Sequence, residues 1–185
     1  MIVKTQHNTM ARKTPDSPVS SPATTLLGID PGLIRTGYGV ISCVGLKSSV
    51  IDAGVIRLEP KETIAQRLVE LERELDAIFE EHTVDVCAVE QLYAHYAHPR
   101  TAILMGHARG VILLVAQRHG VRLVELSANR VKQSLTGHGH ASKSQMQQGV
   151  KTAFGLATVP EPADVADAMA IALCAYRQVG LKYKR

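Results

Sequence analysis

Apolar and polar positions along the chain change period several times, and each change marks an element. Leu26–Asp30 is a short apolar run closed by Asp-Pro-Gly, the pattern of a strand entering a turn. Thr36–Cys43 continues in β-forming residues, and Ser49–Leu58 alternates well enough for a third strand. Short links between the three predict an antiparallel meander. Between Thr63 and Phe79 the period becomes helical, with apolar side chains at Ile64, Leu68, Leu71, Leu75, Ile78 and Phe79. Thr63 and Gln66 have the spacing of a capping box at its start. Val84–Glu90 is apolar nearly throughout, as a strand buried on both faces would be. A helix follows from near Pro99 to Gln117, then a fifth strand over Val121–Leu126. Helical stretches near Asn129–Leu135 and Ser142–Phe154 are separated by Gly137-His138-Gly139-His140. Pro162 suits the first turn of a final helix running to about Tyr176. This order predicts an α/β fold with a five-stranded mixed sheet flanked by helices.

The first 24 residues break these patterns. Pro15, Pro18 and Pro22 stand among Ser and Thr without apolar periodicity, so residues 1–24 read as a disordered tail before one domain over 25–185. The tail lacks the apolar segment of a secretory signal. Organellar targeting stays open, although Asp16 interrupts the segment and no amphipathic Arg face appears. No apolar run approaches the roughly 20 residues of a membrane span, so no membrane partner is expected. Cys43, Cys87 and Cys174 are far apart and each lies among apolar residues. They read as buried thiols in a reducing compartment such as a cytoplasm.

Charge is polarised along the chain. Glu59–Glu90 holds 10 acids and 3 bases, whereas His98–Lys151 holds 8 bases and one acid. Much of the acidic block falls on the polar face of the helix over 63–79, where it is a solvated surface. A basic region separated from an acidic one fits docking on phosphates, and it also fits two ordinary solvated faces.

Four carboxylates stand at element ends. Asp30 closes the first strand and Glu90 the fourth. Asp164 and Asp167 lie three apart at the start of the final helix and so share one side of it. If strands one and four are parallel neighbours, Asp30 and Glu90 meet at one edge, and the final helix can bring the pair to them. Taken singly, each has a plainer reading: a turn for Asp30, a strand end for Glu90, a helix dipole for Asp164 and Asp167. Together they would repel unless protonated or neutralised by a cation. Oxygen ligands without thiols select Mg²⁺, with Mn²⁺ as an alternative. Two such ions about 3.5–4 Å apart suit phosphodiester hydrolysis.

Five segments carry a resemblance. Leu27-Gly-Ile-Asp-Pro-Gly-Leu-Ile-Arg-Thr-Gly-Tyr-Gly-Val-Ile41, Ala88-Val-Glu-Gln-Leu-Tyr93, Met105-Gly-His-Ala-Arg-Gly110, Arg130-Val-Lys-Gln133 and Ala163-Asp-Val-Ala-Asp-Ala-Met-Ala-Ile-Ala172 resemble, in this order, the motifs of RuvC-type Holliday junction resolvases. The first motif is shared by other ribonuclease-H-like proteins; the five together are specific. The resemblance covers about residues 25–178. It implies a ribonuclease-H-like fold and a homodimer that cuts four-way DNA junctions symmetrically during recombination and repair. It further implies two Mg²⁺ per site held by Asp30, Glu90, Asp164 and Asp167, and a branch-migration motor as partner. Tyr93 would stack on an unpaired base, while Lys132, Lys143 and the nearby Arg130 would meet the DNA backbone. Gly106 and Gly110 would lie on the dimer helix, or else pack on the protein's own sheet.

The chain departs from the family in its N-terminal tail, its early end and its histidines. His95 and His98 have a spacing that would suit zinc on a helix, although surface or DNA-facing histidines are the plainer reading. Competing functions are a ribonuclease-H-like nuclease acting on RNA, a sugar-kinase-like or actin-like ATPase, and a non-catalytic junction-binding protein. The ATPases need a much longer chain, and all four acids are present for catalysis.

Overall fold

The computed structural model describes residues 22–92 and 99–182. Its strands are β1 (Thr24–Asp30), β2 (Arg35–Val44), β3 (Lys47–Arg57), β4 (Val86–Glu90) and β5 (Arg122–Leu126). Its helices are α1 (Ile64–Glu81), α2 (Pro99–Arg118), α3 (Ala128–Thr136), α4 (Lys143–Phe154) and α5 (Ala163–Lys182). The strands form one sheet in the order β3-β2-β1-β4-β5. The β1–β2 and β2–β3 pairs are antiparallel, as the meander requires, and β1–β4 and β4–β5 are parallel. Parallel neighbours cannot be joined by a tight turn, so α1 and α2 carry the chain back between them.

Strand alternation sorts the core into two layers. Leu26, Val86 and Ala88 face one way and join Val131, Met146, Val150 and the buried side of α5. Leu27, Ile29, Cys87 and Val89 face the other and join Leu71, Leu75 and Phe79 of α1 with Ile112 and Val115 of α2. β1 and β4 are thus apolar on both faces, which explains their unbroken apolar sequence.

Local signals act as expected at α1. Thr63 and Gln66 close the capping box, and Leu71, Leu75, Ile78 and Phe79 are buried. On the outer layer α1 is tied to α2 by an Arg118–Glu72 ion pair and by His119. The His119 imidazole lies 2.9 Å from Asp76 and stacks on Phe79 at 4.8 Å between ring centroids.

Most element boundaries shift by a residue or two from the sequence expectation, and those of β1 and α5 matter for the fold. β1 starts at Thr24, inside the segment assigned to the tail. The Asp85 carboxylate accepts the Thr25 N–H at 2.8 Å, and the Asp85 N–H donates to the Thr25 carbonyl at 2.9 Å, fastening this end. Residues 1–21 of the proposed tail lie outside the described residues. α5 begins just after Pro162 and runs past Tyr176 to Lys182. Among the described residues no helix is long and apolar enough to cross a membrane.

Candidate functional site

The site begins where β1 and β4 end. Their parallel register pairs Ile29 with Val89, so the next residues, Asp30 and Glu90, emerge side by side at one sheet edge. The turn after Asp30 is fixed from within. Thr36 is fully buried, and its hydroxyl donates to the Gly32 carbonyl at 2.8 Å and accepts the Gly32 N–H at 3.2 Å. A buried hydroxyl with both functions satisfied is a rigid peg rather than a cost.

α5 brings the other two acids. Its backbone lies almost on the sheet, because the strands beneath it carry glycines. A Cβ on Gly28 would stand 2.1 Å from the Ala168 carbonyl oxygen, and one on Gly37 would stand 2.1 Å from that of Asp164. These contacts are with backbone, which cannot rotate away. Small residues of the helix (Ala166, Ala168, Ala170, Ala172) are buried in return.

Asp30, Glu90 and Asp167 line a common cleft of about 210 Å³. Lys132 of α3 and Lys143 of α4 complete its polar lining, with Met146 among the apolar walls. Lys143 opens α4 directly after Ser142, whose side chain forms a second capping box with Gln145. Asp164 does not line this cleft. Its Oδ2 lies 3.4 Å from Nε of Arg35, with the two side chains 26% and 52% exposed. The set is open rather than caged: among the described residues no three carboxylates, imidazoles or thiols are close enough to hold an ion as they stand.

Electrostatics identify the cleft as crowded. Burial, then the charges of Asp167, Glu90 and Asp164, push Asp30 up to about 7, against an opposing effect of Lys143. Glu90 is raised by burial and by Asp167, with Lys132 opposing. Asp167 is raised by burial, while Lys143 and Lys132 pull it down and Asp164 pushes it up. Carboxylates in this state gain from a bound cation, which offsets both desolvation and mutual repulsion. The all-oxygen donor set fits a hard divalent ion.

Arg130 is exposed on α3 and does not line the cleft. Tyr93, His95 and His98 lie outside the described residues. Sequence reasoning missed Arg35 and the seating role of Gly28 and Gly37. The alternating glycines Gly37 and Gly39 did offer a signal, since glycines on one face of a strand mark close approach of another backbone.

The family model for crossover junction endodeoxyribonuclease RuvC matches residues 26–175. The chain belongs to this family. A RuvC from Rhodopirellula baltica is 53% identical over 154 residues, which is 83% of this chain and 86% of that protein. The structure of Thermus thermophilus RuvC in complex with a Holliday junction substrate superposes with a TM-score of 0.77 and 31% identity, covering 85% of this chain and 96% of that one. The yeast mitochondrial Holliday junction resolvase Ydc2 shares the fold, with a TM-score of 0.63 at 17% identity over 86% of this chain and 81% of its own. The sheet is thus the ribonuclease-H-like sheet of RuvC, and membership makes this chain a DNA endonuclease of the crossover-junction class. All four acids of the resemblance are present in this RuvC-family chain, three of them in one cleft.

Proposed function

We propose that this RuvC-family chain resolves four-way (Holliday) DNA junctions by symmetric phosphodiester hydrolysis, with Asp30, Glu90, Asp164 and Asp167 as its metal-holding catalytic acids. The observation that carries the reading is the shared cleft of Asp30, Glu90 and Asp167, where burial and like charge hold Asp30 at about 7. Two Mg²⁺ ions, or Mn²⁺ in their place, would supply the positive charge that lets water attack an anionic phosphodiester.

The chain's own residues do the rest. Asp30 and Glu90, fixed by the strand register, set where the cation charge falls, and Asp167 faces them from α5. Lys132 and Lys143 meet DNA phosphates at the cleft and moderate the repulsion among the acids. Arg130 adds a backbone contact farther out, and Tyr93, soon after Glu90 in sequence, stacks on an unpaired base. A base–aromatic stack contributes about 1–3 kcal/mol.

A homodimer is part of the proposal. Ile103, Gly106, Gly110 and Leu114 share one exposed stripe of α2, with Ile103 62% and Leu114 50% exposed. A Cβ on Gly110 would meet nothing within 4 Å, and one on Gly106 would meet only Leu92 at 3.9 Å. Such a stripe suits a second α2, and two-fold symmetry lets one site address each of two opposed strands. We place the dimer in the bacterial cytoplasm, acting in recombination and repair beside a branch-migration motor.

Nicking of a synthetic four-way junction and of a matched linear duplex, each with Mg²⁺ and with chelator, tests the reading. Paired symmetric nicks on the junction alone, and only with metal, are expected. Tight junction binding without nicks would favour a non-catalytic binder, and cleavage of an RNA-containing control instead would favour a ribonuclease.

A further inference from the structure

The fourth acid stands apart from the other three. Asp30, Glu90 and Asp167 line the cleft, whereas Asp164 is drawn to Arg35 at 3.4 Å on its rim. Both partners are held by the scaffold rather than by chance surface geometry. Arg35 is the first residue of β2, next to the buried Thr36 that pegs the Asp-Pro-Gly turn. Asp164 lies in the first turn of α5, with its backbone seated over Gly37. Packing thus fixes the backbone at both partners, and Asp164 is near enough to Asp30 and Asp167 for each to feel its charge.

We propose that Arg35 is a positioning residue that competes with the divalent cation for Asp164, holding this carboxylate outside the cleft until a cation displaces it. The inference rests on the metal-site reading above and adds an internal counter-ion to it. Its consequence is a graded site. Asp30, Glu90 and Asp167 already share the cleft that a cation would enter, but any ion that also needs Asp164 must first break the pair with the guanidinium. The second ion therefore binds more weakly than the first, and Arg35 is released at the cleft rim when it does.

The pair is partly exposed, so its effect is modest. A surface ion pair of this kind changes an equilibrium by up to about fivefold. Titration of Mn²⁺ into the metal-free protein without DNA, followed by the electron paramagnetic resonance signal of free Mn²⁺, reads it directly. Arg35→Gln should tighten the weaker Mn²⁺ site by about two- to fivefold and leave the tighter one nearly unchanged. Loss of a nearby positive charge would by itself favour cation binding, so the same change is made in an Asp164→Asn background. There the gain from Arg35→Gln should fall to the smaller part that the charge alone supplies. An equal gain in both backgrounds, or no gain in either, would overturn the role of Arg35. Absence of any Mn²⁺ binding by the unaltered protein would instead overturn the metal-site reading itself, and the competition with it.

Discussion

Gly37 of β2 lies directly beneath the backbone of Asp164, so close that a Cβ would stand 2.1 Å from the Asp164 carbonyl oxygen. The position of an acid on α5 is therefore set by the absence of a side chain on a strand. Gly37→Ala must push α5 off the sheet, and forced overpacking of this kind costs about 1–3 kcal/mol. A urea melt should show the lowered midpoint. Junction nicking should fall further than the loss of folded protein explains, because Asp164 and Asp167 move with the helix. A variant with unaltered midpoint and rate would show that α5 is not seated as described.

Asp30 gives a prediction in pH. Its folded-state value, near 7, is above the ordinary carboxylate value of 3.8. The folded chain thus holds this proton more tightly than the unfolded chain does. The stability that this contributes is fully present below about pH 4 and is lost as pH rises through about 7. Without divalent cation, Asp30→Asn should be more stable than the parent at pH 8, by on the order of 4 kcal/mol. The gain should shrink almost to nothing at pH 4. Denaturant melts in chelator at the two pH values measure it, and an equal gain at both would contradict the crowding of the cleft.

The same Asp30→Asn variant should abolish nicking while still binding the junction, since the fold does not depend on this charge. Gel-shift and nicking assays on one preparation separate the two. Retained cleavage would remove Asp30 from the catalytic set.

Lys143 lines the cleft with the acids, where the proposal has it meet a DNA phosphate. Lys143→Ala should weaken junction binding and reduce the slope of log K against log salt by about 0.9, the worth of one phosphate contact. Because Lys143 lowers both Asp30 and Asp167, its removal should also shift the acid limb of the pH–rate profile upward. A salt slope equal to the parent's would show that Lys143 touches no phosphate.

The exposed stripe of α2 makes a separate claim. Leu114→Glu should leave the circular dichroism spectrum intact, because Leu114 is half exposed in the single chain. Sedimentation should then report monomers, and paired nicks should give way to unpaired ones. A stable dimer would place the interface elsewhere.

Much of this arrangement was legible before any coordinates. Asp30 and Glu90 each end a run that is apolar on both faces, and a charge at such a place is conspicuous. The Thr63–Gln66 capping box fixed the start of α1 for the same reason: it is local chemistry at fixed spacing. The Arg35–Asp164 pair was not legible, because it joins side chains distant in sequence and depends on their rotamers. The start of β1 was read two residues late for a related reason. Thr24 and Thr25 resemble tail residues in composition, and it is Asp85, far along the chain, that fastens this end of β1 into the sheet. Gly28 and Gly37 were visible as motif letters, but what they accommodate becomes apparent only with α5 in place.

The dependence of the cleft on α5 has a consequence for biosynthesis. Asp30 is made early, Glu90 midway, and Asp167 only with the last described helix, which also fills one layer of the core. A chain still emerging from the ribosome, or one truncated before residue 163, therefore carries two of the acids on an incompletely covered sheet and lacks the others. If these acids form the catalytic set proposed above, such a chain would lack a complete site, and nuclease activity would await the folding of α5.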